Sequence, residues 1–133
     1  MGDVAVSEPS QEFAIVIEPK PMLADMISDY LSRAGYAVAV SATHAGGAAQ
    51  AKAHGKVDFA VAAVPAPGEE RTGAYLEEAR KVNPLMRMVV MLSDPLASVA
   101  GAPADAVQLV KPFSAEELDR AVALARMPVQ PLS

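Results

Sequence analysis

At 133 residues the chain is the size of one domain with a single core, and it contains no cysteine, which excludes disulfides and thiolate metal sites and fits a reducing compartment. Hydrophobic residues make up 52% and aromatic residues only 5%, so the core is expected to consist of Ala, Val, Leu, Ile and Met. A net charge of -5 supplies no sequence-wide field for phosphates and argues against nucleic acid as the main partner.

The opening "MGDVAVSEPSQE" lacks the basic start and long apolar stretch of a secretory signal, and Val6 stands where the myristoylation pattern wants Ser or Thr. No window is long and apolar enough to cross a membrane. The expectation is a soluble, cytoplasmic domain over residues 13–127, with flexible tails at 1–12 and 128–133.

"FAIVI" (Phe13 to Ile17) is apolar at every residue, as a parallel strand covered on both faces should be. "PMLADMISDYLSRAGY" follows with Pro21 at a helix start, Gly35 as its stop, and Met22, Leu23, Met26, Ile27, Tyr30 and Leu31 as its apolar stripe. "YAVAV" is a second strand, and "THAGGAAQAKAHG" an Ala-rich, glycine-weakened helix ending at Gly55. "DFAVAAV" is the third strand, "TGAYLEEARKVN" the third helix and "MRMVVML" the fourth strand. In "SDPLASVAGAPAD", Pro95, Gly101 and Pro103 make any helix short or distorted. "AVQLV" is the fifth strand, and "SAEELDRAVALARM" a last helix with Ser114 and Glu117 at the spacing of a capping box. Five successive β–α units predict an α/β fold with a doubly wound five-stranded parallel sheet and helices on both faces, whose sites lie at the carboxyl ends of the strands.

Those ends carry Glu18 and Pro19 after the first strand, Ala63 in the third, Ser93 after the fourth and Lys111 after the fifth. From Phe13 to Met127 the order of elements, with "DFAVAAVPAPG", "VVMLSD" and above all "LVKPF", resembles the receiver domain of bacterial two-component response regulators, a flavodoxin-like fold. The resemblance implies an acidic pair for Mg²⁺ after the first strand, a phosphate-accepting Asp after the third, a hydroxyl after the fourth and a lysine after the fifth. Ser93 and Lys111 match the last two, and Pro112 is expected to follow a cis bond. The acidic pair falls on Glu18 and Pro19, the acceptor on Ala63, and the aromatic switch position, three before the lysine, on Gln108. The stretch from Ser93 to Lys111 is also shorter than the family habit by about one helical turn.

An acyl phosphate needs a carboxylate oxygen as nucleophile, and the methyl of Ala63 has no lone pair. Glu18 is left as the sole matching acidic ligand, which is poor provision for Mg²⁺, so neither metal nor cofactor is expected. Asp58, five residues before Ala63, lies at the other end of its strand, about 16 Å away. Lys111 then needs a partner if buried: it either pairs with Glu18 or both side chains reach water.

Other features read as structural. His44 and His54 have no acidic or nucleophilic neighbour in sequence, and Gly46, Gly47 and the Gly55–Lys56 pair fit neither dinucleotide nor phosphate-loop spacing. Met22, Met26, Met88 and Met91 read as core fillers, "GEERTG" as a solvated loop, and Ser93 as a hydroxyl satisfying its own turn. No nucleophile and base are paired, so no catalytic residue is assigned. The expected role is a degenerate receiver, monomeric or weakly dimeric, that acts by contact with a histidine kinase, another receiver or an effector domain, with Pro65 and Pro67 stiffening the loop after the third strand. Two rivals are a regulator phosphorylated at an unorthodox residue such as Glu18 or Ser93, and a binder that takes a small anion between Ser93 and Lys111.

Overall fold

The structure, a computed structural model, describes residues 12–64, 78–92 and 106–126. Five strands, β1 (Phe13–Ile17), β2 (Ala37–Ser41), β3 (Phe59–Val64), β4 (Arg87–Leu92) and β5 (Val107–Val110), form one sheet of order β2-β1-β3-β4-β5 in which every pairing is parallel. The helices are α1 (Pro21–Arg33), α2 (His44–His54), the helical residues 78–82 (α3), and α4 (Ala115–Arg126). The strand order reverses between β1 and β3, which puts the crevice of a doubly wound sheet at their carboxyl ends.

Alternation along the strands assigns the two faces. Ala14, Val16, Phe59, Val61, Ala63, Val89 and Met91 pack with Ala24, Ile27 and Leu31 of α1 and Leu118, Ala121 and Val122 of α4. Their neighbours Ile15, Ile17, Ala60, Ala62, Met88 and Val90 face the other way, towards Ala51 of α2 and Ala79 of α3. β1 and β3 are buried throughout because both faces are covered, which is why they read as unbroken apolar runs, whereas β2 at the edge is only half-buried.

Helix α1 starts on Pro21 and stops at Gly35, whose φ of 106° suits a residue without a β-carbon. Its buried stripe is narrower than the sequence suggests. Ala24, Ile27 and Leu31 define it, Leu23 and Tyr30 flank it, and Met22 and Met26 are 87% and 37% exposed. Met22 precedes Ala24 by two residues, about 200° around the helix, so the reading of these two methionines as core fillers is corrected. Met88 and Met91 are buried as expected.

Helix α2 has no apolar stripe, and is held by its ends and its glycines. The Thr43 hydroxyl accepts a hydrogen bond from the Gly46 N–H at 3.0 Å, and Gly55 closes the helix at φ 93°. A β-carbon on Gly47 would lie 2.6 Å from Cδ1 of Ile17, and one on Gly46 would collide with Ser41 Oγ, so the two glycines that weaken this helix let it approach β1 and the end of β2 closely. At the head of α4 the expected box forms: the Ser114 N–H donates to Glu117 Oε1 at 2.8 Å and the Glu117 N–H to Ser114 Oγ at 3.1 Å. The third helix of the sequence reading is described only from residue 78, and the segment holding Pro95, Gly101 and Pro103 lies outside the described residues, as do both expected tails apart from Glu12.

Candidate functional site at the carboxyl ends of the strands

Ile17 of β1 is in register with Ala62 of β3, so Glu18 follows on beside Ala63. Glu18 is 2% exposed, and its N–H donates to the Ser41 carbonyl of β2 at 3.0 Å, which extends the ladder one step beyond the strand and fixes where the side chain begins. Lys111 is placed from the other side, its N–H donating to the Leu92 carbonyl at 2.7 Å. The two side chains meet. Lys111 Nζ lies 2.7 Å from Glu18 Oε1, with the carboxylate wholly enclosed and the lysine side chain 20% exposed.

The second carboxylate oxygen is also engaged: Glu18 Oε2 accepts the Lys20 N–H at 3.1 Å. Lys20 was not singled out in the sequence; its contact is the longer, glutamate counterpart of the turn in which an Asp or Asn side chain accepts the N–H two residues on. Of the alternatives left open above, pairing is therefore the one observed. Beside the pair lies a cavity of about 380 Å³ lined by Lys20, Leu23, Lys111, Pro112 and Phe113. The bond from Lys111 to Pro112 is cis, as the resemblance implied.

Ala63 is 3% exposed and joins the core that faces α1 and α4, so its methyl fills the space between the strand end and those helices. Pro19 is half-buried, and Gln108 is exposed on edge strand β5, two strands away from Ala63, with its backbone opposite Val90. Ser93 lies outside the described residues, as do Pro65 and Pro67. The cleft therefore brings together Glu18, Ala63, Lys111 and Pro112.

Asp58 is at the opposite end of the sheet with a structural task, its Oδ2 accepting the Phe13 N–H at 2.8 Å. His54 stacks on the Phe13 ring, centroids 3.6 Å apart, and closes that end. Across the helix layer the Tyr30 hydroxyl donates to Asp119 Oδ1 at 2.5 Å; burial first, and then this hydrogen bond, push the phenol up to about 12. Burial also raises Tyr36, against the opposing charge of Arg126, whose guanidinium lies 5.6 Å from the ring centre.

No family model matches the chain, and no curated protein matches it. Solved structures do. A response regulator receiver protein from Sinorhizobium medicae superposes with a TM-score of 0.76 at 20% identity, over 87% of this chain and 94% of that one. The fold is that of a response-regulator receiver domain. A CheY-like receiver domain from Methanospirillum hungatei agrees at a TM-score of 0.70 and 22% identity, over 86% of this chain and 92% of that one. A response regulator from Burkholderia pseudomallei, described with a phosphorylated aspartic acid, a calcium ion and citrate, superposes at 0.67 with 23% identity over 83% of this chain, which spans 65% of that protein.

A receiver fold raises the question of a divalent cation at this cleft. The donor set does not fit one. Mg²⁺ asks for near-octahedral oxygen donors, but Glu18 has both oxygens engaged, Pro19 carries a ring and Ala63 a methyl. Among the described residues no group of three or more acidic or histidine side chains is placed to hold a metal.

Proposed function

We propose that this receiver fold serves as a non-phosphorylatable signalling module, acting by protein contact in a two-component or phosphorelay pathway. The observation that carries the reading is the 2.7 Å pairing of Lys111 with Glu18 beside the buried methyl of Ala63. The Burkholderia pseudomallei regulator holds a phosphorylated aspartic acid and a calcium ion. Here the position that the receiver resemblance assigns to the phosphate acceptor is Ala63, which has no oxygen to attack phosphorus, and the lysine is already satisfied by a carboxylate of its own chain. The pair joins β1 to the junction of β5 and α4, so it supports a single standing arrangement of that face in place of a phosphate-dependent one.

On this reading the chain is not an enzyme, works in the cytoplasm, and takes as partner a histidine kinase, another receiver or an effector domain. The exposed Gln108 on β5 marks the face to alter first. Incubation with a small phosphodonor followed by intact-mass measurement tests the first half: the mass stays unchanged, and an added phosphoryl group, on Glu18, Ser93 or elsewhere, would overturn it. Pull-down from native lysate, repeated with Gln108→Glu, tests the second: a kinase, receiver or effector is retained by the native chain and lost from the variant.

A second reading is favoured by the cavity beside Lys111, whose walls combine Lys20 and Lys111 with Leu23, Pro112 and Phe113, a lining suited to a small anion with an apolar body. A thermal-shift screen of small carboxylates and phosphates distinguishes it, since a ligand of the native state raises the melting temperature.

A further inference from the structure

We infer that Lys111 is the resident cation of this cleft, supplying the positive charge that the buried Glu18 carboxylate requires and closing the site to divalent metal. The inference rests on reading the cleft as one that takes no phosphoryl group, and it is tested without any phosphodonor, so the two can fail separately.

A carboxylate that is 2% exposed cannot draw its counter-charge from water. The 2.7 Å separation is that of a charge-assisted hydrogen bond, and the Lys20 N–H occupies the other oxygen. Glu18 and Lys111 together are neutral. A divalent cation bound to either oxygen would sit beside an ammonium and leave two uncompensated positive charges, with no oxygen from the side chains of Pro19 or Ala63 to offset them. Mg²⁺ would also have to shed tightly held water to enter. The ammonium, tethered by its own chain and fixed through the bond from the Lys111 N–H to the Leu92 carbonyl, pays no entropy of association and outcompetes a free ion.

The experiment compares thermal unfolding of the full chain in EDTA and in excess MgCl₂ for three forms: native, Lys111→Met, and Glu18→Gln with Lys111→Met. The native chain melts at the same temperature in both buffers. In EDTA, Lys111→Met melts below the double variant by about 4 °C or more, because the single change strands a buried negative charge, whereas the double change removes both charges and keeps an amide oxygen at position 18 to accept the Lys20 N–H. Paramagnetic Mn²⁺ added to the native chain leaves the amide resonances of Glu18, Ala63 and Lys111 unbroadened. A native melting temperature raised by MgCl₂, local broadening by Mn²⁺, or a double variant no more stable than Lys111→Met would each overturn the inference. Should Lys111→Met fail to fold while the double variant folds, the same conclusion follows in its strongest form.

Discussion

The hydroxyl of Tyr30 on α1 donates to Asp119 of α4 at 2.5 Å, tying together the two helices that cover the Ala63 face of the sheet. Burial and the neighbouring carboxylate disfavour the phenolate, so the folded chain keeps this proton to about pH 12 while an unfolded tyrosine releases it near 10.0. Between those values the unfolded state binds fewer protons than the native one. The stabilisation is complete below about pH 10 and is lost as pH rises through 12. Denaturant midpoints measured across this window should fall for the native chain and fall less steeply for Tyr30→Phe, with Tyr36, also raised, supplying part of the remainder. Parallel curves for the two proteins would mean that the bond to Asp119 does not hold the proton.

Gly47 sits against Ile17, and two opposing magnitudes meet there. Replacing a helical glycine with alanine is worth about 1 kcal/mol in propensity, but the new β-carbon would lie 2.6 Å from Ile17 Cδ1 and 2.8 Å from Cγ1. Overpacking of a tight contact costs about 1–3 kcal/mol, so Gly47→Ala should be neutral to destabilising by about 2 kcal/mol despite its better propensity. Ile17→Val removes the nearer carbon. In that background the penalty should shrink or reverse, a coupling that a double-mutant cycle from urea unfolding would measure. A cycle with no coupling would show that α2 moves away freely and that the close approach is not what selects glycine.

The sequence made the sheet legible because β1, β3 and, from Met88 on, β4 are covered on both faces and therefore print as continuous apolar runs, while α1 and α4 carry explicit starts in Pro21 and the Ser114–Glu117 box. The cleft was legible in membership, since position at a strand end decides it, and Glu18, Ala63 and Lys111 do come together there. What the sequence hid depends on geometry between distant residues. The pairing of Glu18 with Lys111 spans 93 positions and was one of two open outcomes. The exposure of Met22 and Met26 turns on a rotation of α1 that an apolar count cannot resolve. Gly46 and Gly47 matched no binding pattern, and their use appears only in the closeness of α2 to Ser41 of β2 and to Ile17 of β1. The hold of Asp58 on the Phe13 N–H likewise joins residues 45 apart.

Restoring oxygens to the cleft should create the metal requirement that the native side chains avoid. Pro19→Asp with Ala63→Asp would place two further carboxylates near Glu18, where Lys111 now neutralises one charge with one. Ala63 is buried, so its new carboxylate would lose hydration without gaining a partner of opposite sign, and three carboxylates would share a single ammonium. In EDTA this variant should be less stable than the native chain by several kcal/mol, the scale of an uncompensated buried charge at about 3–5 kcal/mol. Added MgCl₂ offers the hard cation that such an oxygen set suits, and should raise the melting temperature of the variant in a concentration-dependent manner while leaving the native chain unmoved. Calorimetric scans over a MgCl₂ series check both halves. If the variant were as indifferent to Mg²⁺ as the native chain, the oxygens missing at Pro19 and Ala63 could not be the reason that this cleft is unsuited to metal.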